Sequence, residues 1–197
     1  MAALMAPPLP LHAANPKTGL PPRLKQGDKV GLVAPAGFSD DYAQLQPVMA
    51  TIAGMGLAPE LGRHVMSRHG YLAGRDEERA ADINAMFADE EIRAVFAVNG
   101  GWGSARLLPY LDWDLIRAHP KLLIGFSDIT ALHLAFAARA GFPTIHGPNA
   151  ANNWRATSWE SFWQLAFAGS SPIFLPLDLS PEDAVQRGLM PFTTIRP

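Results

Sequence analysis

Short apolar runs alternate with amphipathic stretches along most of the chain. The apolar runs have the length of buried strands, and the amphipathic stretches place apolar side chains at helical spacing. Strands are predicted within Lys29–Gly37, which ends in a Pro/Gly turn, within Ile92–Gly103, which runs into a glycine loop, and at Leu57–Gly62, Leu122–Ile124 and Pro143–Pro148. Helices are predicted at Asp40–Gly56, Gly74–Asp89, Ser104–Tyr110 with Asp114–Ala118, and from Ile129 onward. Because strands separated by helices form βαβ units, the pattern predicts an α/β fold with a mainly parallel sheet and helices on both faces.

Two of the predicted helices have a defined apolar face. In Asp40–Gly56 the face comprises Tyr42, Leu45, Met49, Ile52 and Met55. In Gly74–Asp89 it comprises Ala80, Ile83 and Phe87, after an acidic first turn that suits a helix N-terminus.

The carboxyl ends of parallel strands meet at one edge of a sheet, where α/β proteins bind their ligands. The residues that leave the predicted strands are therefore the first candidates for a functional site. They are Ala34–Gly37, Asn99–Gly103, Gly125–Asp128 and His146–Pro148.

The segment Gly125–Asp128 leaves no room for an ordinary loop between the strand at Leu122–Ile124 and the helix from Ile129. One interpretation is a nucleophile elbow, which lifts the Ser127 hydroxyl above the sheet beside backbone N–H groups that can bind an oxyanion. The other is that Ser127 caps the helix and its acidic neighbour complements the helix dipole. The G-x-S-x-G pattern of such elbows is only half met, and composition alone favours the cap.

The second candidate is the glycine-rich segment Asn99–Gly103 at the end of a strand. Glycines there let a ligand approach the backbone, and their N–H groups can hold an anion or an oxyanion. A tight turn into the next helix explains the same residues equally well. It is not a phosphate loop, because neither a following Lys-Ser/Thr pair nor the G-x-G-x-x-G spacing is present.

A serine nucleophile needs a base, and the histidines do not supply a convincing one. His133 lies six residues after Ser127, so on a helix it points about 120° away from the serine. His146 leaves a neighbouring strand and is better placed, although a structural hydrogen bond explains it as well. The others have no carboxylate at an instructive spacing: His12, His64, His69 and His119.

Composition removes several classes of function. The 197-residue chain has no cysteine, which excludes disulfides, thiolate catalysis and cysteine-ligated metal sites. A formal charge of −2 without a Lys/Arg cluster gives no sign of nucleic-acid binding. No pair of histidines has metal-ligand spacing, and no segment has the apolar length of a membrane span.

Four blocks occur in a recognisable order: "APAG", "GYLAGRDEERAADINAMFADEEIRA", "GGWGSARLLPYLD" and "IGFSDITALH". Together they resemble the serine LD-carboxypeptidases, the muramoyl-tetrapeptide carboxypeptidase family. The resemblance runs from about Leu24 to Pro148.

The resemblance implies a flavodoxin-like domain that carries the nucleophile at Ser127. It places the oxyanion donors at the backbone N–H groups of Asp128 and Gly101, with Gly100 and Trp102 beside them in the substrate site. The catalytic glutamate and histidine of the family belong to its C-terminal domain, which we expect to be absent here, and His146 matches an "HGP" strand end rather than the base.

We therefore expect three parts: a tail or signal remnant (1–23), the nucleophile-bearing α/β domain (24–150) and a helix with a linker toward the missing domain (151–197). In the last part, Ser158–Gly169 is predicted as a helix and Pro172–Leu177 as a strand.

The expected function is removal of the terminal D-alanine from murein tetrapeptides, with no metal or organic cofactor. This chain would carry only the nucleophile half and would alone be inactive or nearly so. Two alternatives remain open: a microcin-immunity-type serine peptidase of the same family, and an inactive remnant that binds peptide or dimerises. The expected partners are a murein peptide and, in the full-length protein, a second copy; no nucleic acid or membrane is expected.

The expected compartment is the cytoplasm, where the family works on recycled murein fragments. Residues Met1–Ala14 are apolar and rich in Ala and Pro, which fits either a tail or the remainder of a signal peptide. The second interpretation would place the protein in the periplasm.

Overall fold

The computed structural model describes residues 19–172 of the chain. Within that range one parallel sheet is formed by β1 (Lys29–Val33), β2 (Ala58–Leu61), β3 (Ile92–Ala97), β4 (Leu122–Gly125) and β5 (Ile145–His146). The strand order is β2-β1-β3-β4-β5, and every neighbouring pair is parallel. This is the flavodoxin-like order of doubly wound folds, so the predicted fold class is confirmed.

Helices connect the strands, as the sequence pattern predicts. They are α1 (Leu45–Gly54), α2 (Asp76–Ala88), α3 (Trp113–Ala118), α4 (Thr130–Ala135) and α5 (Ala156–Trp163). Short 3₁₀ turns occur at Tyr42–Gln44, Ser104–Leu107 and Ser127–Ile129, and π-helical turns at Phe136–Ala140 and Gln164–Ala168 extend α4 and α5.

The sheet carries a hydrophobic core on each face. Alternate side chains of a strand point to opposite faces, and in β3 Phe96 joins one core while Val95 joins the other. The face of the sheet that carries Phe96 packs against α1 and α5, and the Phe96 ring lies 5.7 Å from the ring of Phe162 in α5. The Val95 side packs against α2, α3 and α4. Both faces of the sheet are therefore covered by helices. The carboxyl ends of the strands, where doubly wound folds bind ligands, are the place to look for a site.

The buried face of α1 differs in part from the predicted one. Leu45, Val48 and Ile52 are buried, whereas Tyr42 is exposed and Met49 is only partly buried. The helix begins at Leu45, five residues after the predicted start at Asp40, because residues 42–44 form a separate 3₁₀ turn.

Two elements are shorter than predicted. The stretch from Ser104 is a 3₁₀ turn that ends at Leu107, and β5 contains only Ile145 and His146. In the strand the reason is the flanking prolines at 143 and 148, which have no N–H to donate to a ladder.

Some predictions fall outside the described residues. The tail at Met1–Ala14 lies outside them, and so does the predicted strand at Pro172–Leu177 apart from its first residue. Between residues 19 and 172, none of the helices has both the length and the apolar character needed to cross a bilayer.

Candidate active site

The turn between β4 and α4 holds its serine in an unusual backbone conformation. Ser127 has φ +63°, and among residues 19–172 it is the only residue other than glycine with a positive φ. An L-residue in this left-handed region costs on the order of 1–2 kcal/mol, and such strain persists only where the surroundings impose it.

The Ser127 side chain is exposed and forms no hydrogen bond with another described residue. Phe126 occupies the N-cap position of the 3₁₀ turn, and no side chain caps that turn. The hydroxyl is therefore directed to solvent and does not cap the helix.

The glycine loop, residues Asn99–Gly103, lies directly against this serine. A Cβ atom built on Gly100 would stand 3.2 Å from the Cβ of Ser127, closer than nearly all real contacts of that kind. Gly101 has φ +130°, and a Cβ there would stand 3.1 Å from the backbone nitrogen of Gly37. That nitrogen donates to the Gly100 carbonyl at 3.0 Å. The backbone conformation and the close approach both favour glycine at Gly101, and at Gly100 a Cβ atom would press against the serine turn.

Backbone donors flank the serine. The N–H groups of Gly101, Trp102 and Asp128 donate to no other described residue. Unpaired amide hydrogens beside an exposed hydroxyl can receive the negative charge that develops when a carbonyl is attacked.

Two hydrogen bonds join Ser104, the residue that follows the glycine loop, to the serine turn. The Asp128 Oδ2 atom accepts from the Ser104 backbone N–H at 2.8 Å, and the Ser104 hydroxyl donates to the Asp128 carbonyl at 2.6 Å. Ser104 is fully buried. The two strand ends that were predicted separately therefore form one connected site.

His133 is not available as a base. Its Nε2 atom lies 2.8 Å from the Gly125 carbonyl and its Nδ1 atom 2.8 Å from the Thr144 hydroxyl. A carbonyl only accepts, so Nε2 carries the proton and Nδ1 accepts from Thr144. Burial lowers the pKa of His133, with a smaller contribution from His146, and outweighs the opposing effect of the Gly125 hydrogen bond. The ring is therefore neutral and fully engaged.

His146 lies at the end of β5, beside the serine turn. Its side chain is exposed, and its ring packs edge-on at 6.3 Å from the ring of Phe126 and 5.7 Å from the ring of His133. In the described part of the chain it makes no hydrogen bond to Ser127. Nor do three His, Asp or Glu side chains within residues 19–172 group together as a metal site requires.

The sequence profile of the LD-carboxypeptidase N-terminal domain matches residues 30–147. The chain belongs to the LD-carboxypeptidase family. Its serine turn, its glycine loop and all five of its strands lie within or at the edge of the matched region.

Similar proteins agree with this family. A probable murein peptide carboxypeptidase of Bacillus subtilis is 44% identical over 128 residues, which are 65% of this chain and 40% of the relative. A murein tetrapeptide carboxypeptidase of Pseudomonas aeruginosa is 44% identical over 122 residues, 61% of this chain and 39% of the relative.

A solved structure of the microcin C7 self-immunity protein MccF, in complex with aspartyl sulfamoyl adenosine, has a TM-score of 0.72 and 27% identity. The match covers 80% of this chain and 50% of that one.

The chain spans about two fifths of the length of the two carboxypeptidases.

Asp76 and Arg79, in the first turn of α2 of this LD-carboxypeptidase domain, support the end of the glycine loop. Arg79 is buried, and its guanidinium donates to the carbonyls of Pro35 and Gly103 and pairs with Asp76. Asp76 also accepts two hydrogen bonds from Arg106, at 2.8 and 3.1 Å. Partial burial alone would raise the pKa of Asp76, but the bonds from Arg106 and Arg79 outweigh it and lower the pKa.

Asp82 and Asn84, further along α2, each bind a connecting loop through hydrogen bonds. Asp82 is buried and accepts from both the backbone and the ring of His64, at 2.9 and 2.8 Å. This partner lies 18 residues away in the chain, so the sequence spacing around His64 did not indicate it. Asn84 donates to the Tyr110 carbonyl and accepts from the Asp112 N–H, both at 3.0 Å.

An exposed pair of aromatic rings adjoins the glycine loop. Trp102 and Tyr71 are 51% and 58% exposed, and their ring centres are 5.9 Å apart. The Arg106 guanidinium lies 5.8 Å from the centre of the Trp102 ring. These rings are inclined to each other by 45° and offer exposed aromatic surface next to the glycine loop.

Proposed function

We propose that Ser127 is the nucleophile of a serine carboxypeptidase that removes the terminal D-alanine from murein tetrapeptides. One observation carries the proposal: an exposed serine hydroxyl is held in a strained left-handed turn, against glycines with unpaired N–H groups. A helix cap needs neither the strain nor the glycine contact. The names of the two carboxypeptidases support the choice of a murein peptide as substrate.

In the proposed reaction the Ser127 hydroxyl attacks the carbonyl carbon of the bond between the L-centre and the terminal D-alanine. The backbone N–H groups of Asp128 and Gly101 hold the resulting oxyanion, with Gly100 and Trp102 lining the substrate site. The C–N bond breaks, D-alanine leaves as the amine, and an acyl-enzyme remains. Water then hydrolyses the ester and restores the serine.

The proton from Ser127 needs a base, and no histidine in the described part of the chain makes a hydrogen bond to it. The family resemblance assigns the glutamate and histidine to the C-terminal half of the enzyme. We therefore expect this chain to show little turnover alone, since a nucleophile without its base keeps only what binding and oxyanion stabilisation provide.

A chimera tests this proposal. Residues 1–150 of this chain replace the corresponding half of the Bacillus subtilis relative, and D-alanine release from a murein tetrapeptide is measured. We expect release by the chimera, none by its Ser127→Ala variant, and little by the 197-residue chain alone.

The control for folding is the circular dichroism spectrum of each protein. A folded Ser127→Ala chimera that keeps full activity would refute the assignment of the nucleophile. A folded chimera that binds the tetrapeptide without cleaving it would favour the remaining alternative, a peptide-binding or dimerising remnant.

A second candidate is a microcin-immunity-type peptidase that acts on peptidyl nucleotides. The structural similarity to MccF bound to aspartyl sulfamoyl adenosine supports it, and the exposed rings of Trp102 and Tyr71 offer a surface on which a nucleobase can stack. Assaying aspartyl adenylate analogues beside the murein tetrapeptide distinguishes the two, because the favoured substrate is the one with the higher kcat/KM.

We further propose that the full-length protein is a homodimer and acts in the cytoplasm on recycled murein fragments. The family supports both statements. Gel filtration of the chimera and fractionation of cells that express the full-length protein test them, and recovery in the periplasm would indicate an exported protein.

A further inference from the structure

The Gly125–Phe126 peptide group, which lies one residue before the Phe126–Ser127 peptide bond, is held from several directions. The Phe126 N–H donates to the Asn149 Oδ1 atom at 3.0 Å. On the other side, the Gly125 carbonyl accepts from the Gly147 N–H at 3.1 Å and from His133 Nε2 at 2.8 Å. The donor and the acceptor of this one peptide group are thus both saturated.

Asn149 is itself fixed. The residue is only 2% exposed. The next two residues donate their backbone N–H groups to the carbonyls of Ala97 and Val98, where β3 ends. The Asn149 N–H is bonded to the side chain of Asn152 at 3.2 Å. The backbone of this asparagine is therefore attached to the end of β3, while its side chain reaches the end of β4.

The asparagine also lies against both halves of the site. A Cβ atom built on Gly100 would be 3.3 Å from Asn149 Nδ2, and one built on Gly125 would be 2.9 Å from Asn149 Oδ1. The same Gly100 position is the one that approaches Ser127. The carboxamide therefore fills the space between the glycine loop and the serine turn.

We propose that Asn149 and His133 are positioning residues that hold the Gly125–Phe126 peptide group and so keep Ser127 in its left-handed conformation. The inference rests on the proposed function for its catalytic meaning, but not for its structural content. A strained residue needs restraint on both sides. The Asp128–Ser104 bonds restrain the turn after Ser127, and Asn149 and His133 restrain it before. Neither residue touches the reacting atoms.

Amide hydrogen exchange on the full 197-residue chain tests the restraint directly. In Asn149→Ala the Phe126 N–H loses its acceptor, and we expect its exchange to be faster by about tenfold or more. The Val95 and Leu123 amides in the sheet report global unfolding, so acceleration at Phe126 beyond theirs measures the local release of this peptide group. Asn149→Asp retains an acceptor oxygen and should restore protection, and Asn153→Ala, at an exposed asparagine, is the matched control. His133→Leu should have a smaller effect than Asn149→Ala, because the Gly147 N–H still holds the Gly125 carbonyl.

A second measurement tests whether this restraint positions the Ser127 hydroxyl. The same proteins bind N-acetyl-boroalanine, whose boron takes the place of the attacked carbonyl carbon. Formation of a tetrahedral boron adduct, followed by ¹¹B NMR and absent in Ser127→Ala, reports the serine together with its oxyanion donors. We expect Asn149→Ala to weaken this adduct by about a hundredfold, the effect of a misplacement near 1 Å.

Unchanged exchange at Phe126 in Asn149→Ala would overturn the proposal. So would faster exchange with an unchanged adduct affinity, since the restraint would then not position the serine. Absence of any adduct in the unmodified chain would count against the proposed function instead, and the exchange rates would still decide whether the peptide group is held.

Discussion

Replacing Arg79 by methionine should destabilise the fold strongly, because its guanidinium is fully buried. The substitution leaves the carbonyls of Pro35 and Gly103 without this donor and removes one of two cationic partners from Asp76. Breaking a buried ion pair from one side costs about 3–5 kcal/mol. Asp76 keeps its bonds to Arg106, so we take the lower end, about 3 kcal/mol.

Urea unfolding measures this loss. Domains of this kind unfold with m-values of about 1–3 kcal/mol/M, so a loss of about 3 kcal/mol lowers the midpoint by roughly 1.5 M. Total stabilities are about 5–15 kcal/mol, and the variant should therefore remain folded in buffer. An unchanged m-value would show that the shift reflects stability rather than a change in the unfolded state.

The matched control is Arg106→Met, which removes the other cation from the same carboxylate. The Arg106 side chain is 51% exposed, and water and salt replace most of what an exposed ion pair contributes. We expect its midpoint to stay close to that of the unmodified chain. If Arg79→Met shifts the midpoint no more than Arg106→Met does, burial is not what makes Arg79 important, and the reasoning fails.

Three further results are expected. Ser127→Gly should be more stable than Ser127→Ala by about 1 kcal/mol, since only glycine relieves the left-handed strain, and equal urea midpoints would show that no strain is present. Burial lowers the pKa of His133 from its ordinary value of 6.5. Below pH 6.5 the unfolded chain therefore binds a proton that the folded chain does not bind, and the free energy of unfolding should fall. His133→Gln removes this group, so its Tm should depend less on pH between about pH 7.5 and 5.5. Gly125→Ala puts a Cβ atom 2.9 Å from Asn149 Oδ1 and 3.1 Å from Ala97 Cβ, and this overpacking should cost about 1–3 kcal/mol in the same urea assay.

The secondary structure can be predicted from the sequence where neighbouring residues alone determine it. The strands β1 and β3 are mostly apolar and buried, and α2 has an acidic first turn before a clear apolar face, so each is predicted within a few residues. The pattern was misleading near Tyr42, where a 3₁₀ turn replaces the first helical turn, and around Pro143, where proline limits the ladder.

The site was predictable only in its outline. The lack of space between β4 and α4 already indicated a sharp turn at Ser127. The bonds that support the turn join residues far apart in the chain: Asn149 and Phe126 are 23 residues apart, and Arg79 and Pro35 are 44 apart. No local pattern announces such partners, and His64 was left without Asp82 for the same reason.

The bonds between Asp128 and Ser104 have a practical meaning for protein engineering. They connect the serine turn directly to the residue that follows the glycine loop. On the proposed function, a different recognition module could be grafted beside this pair of segments without rebuilding the surroundings of Ser127, if the graft supplies the base that the proposal requires. Substrate choice and bond-breaking chemistry would then be inherited separately.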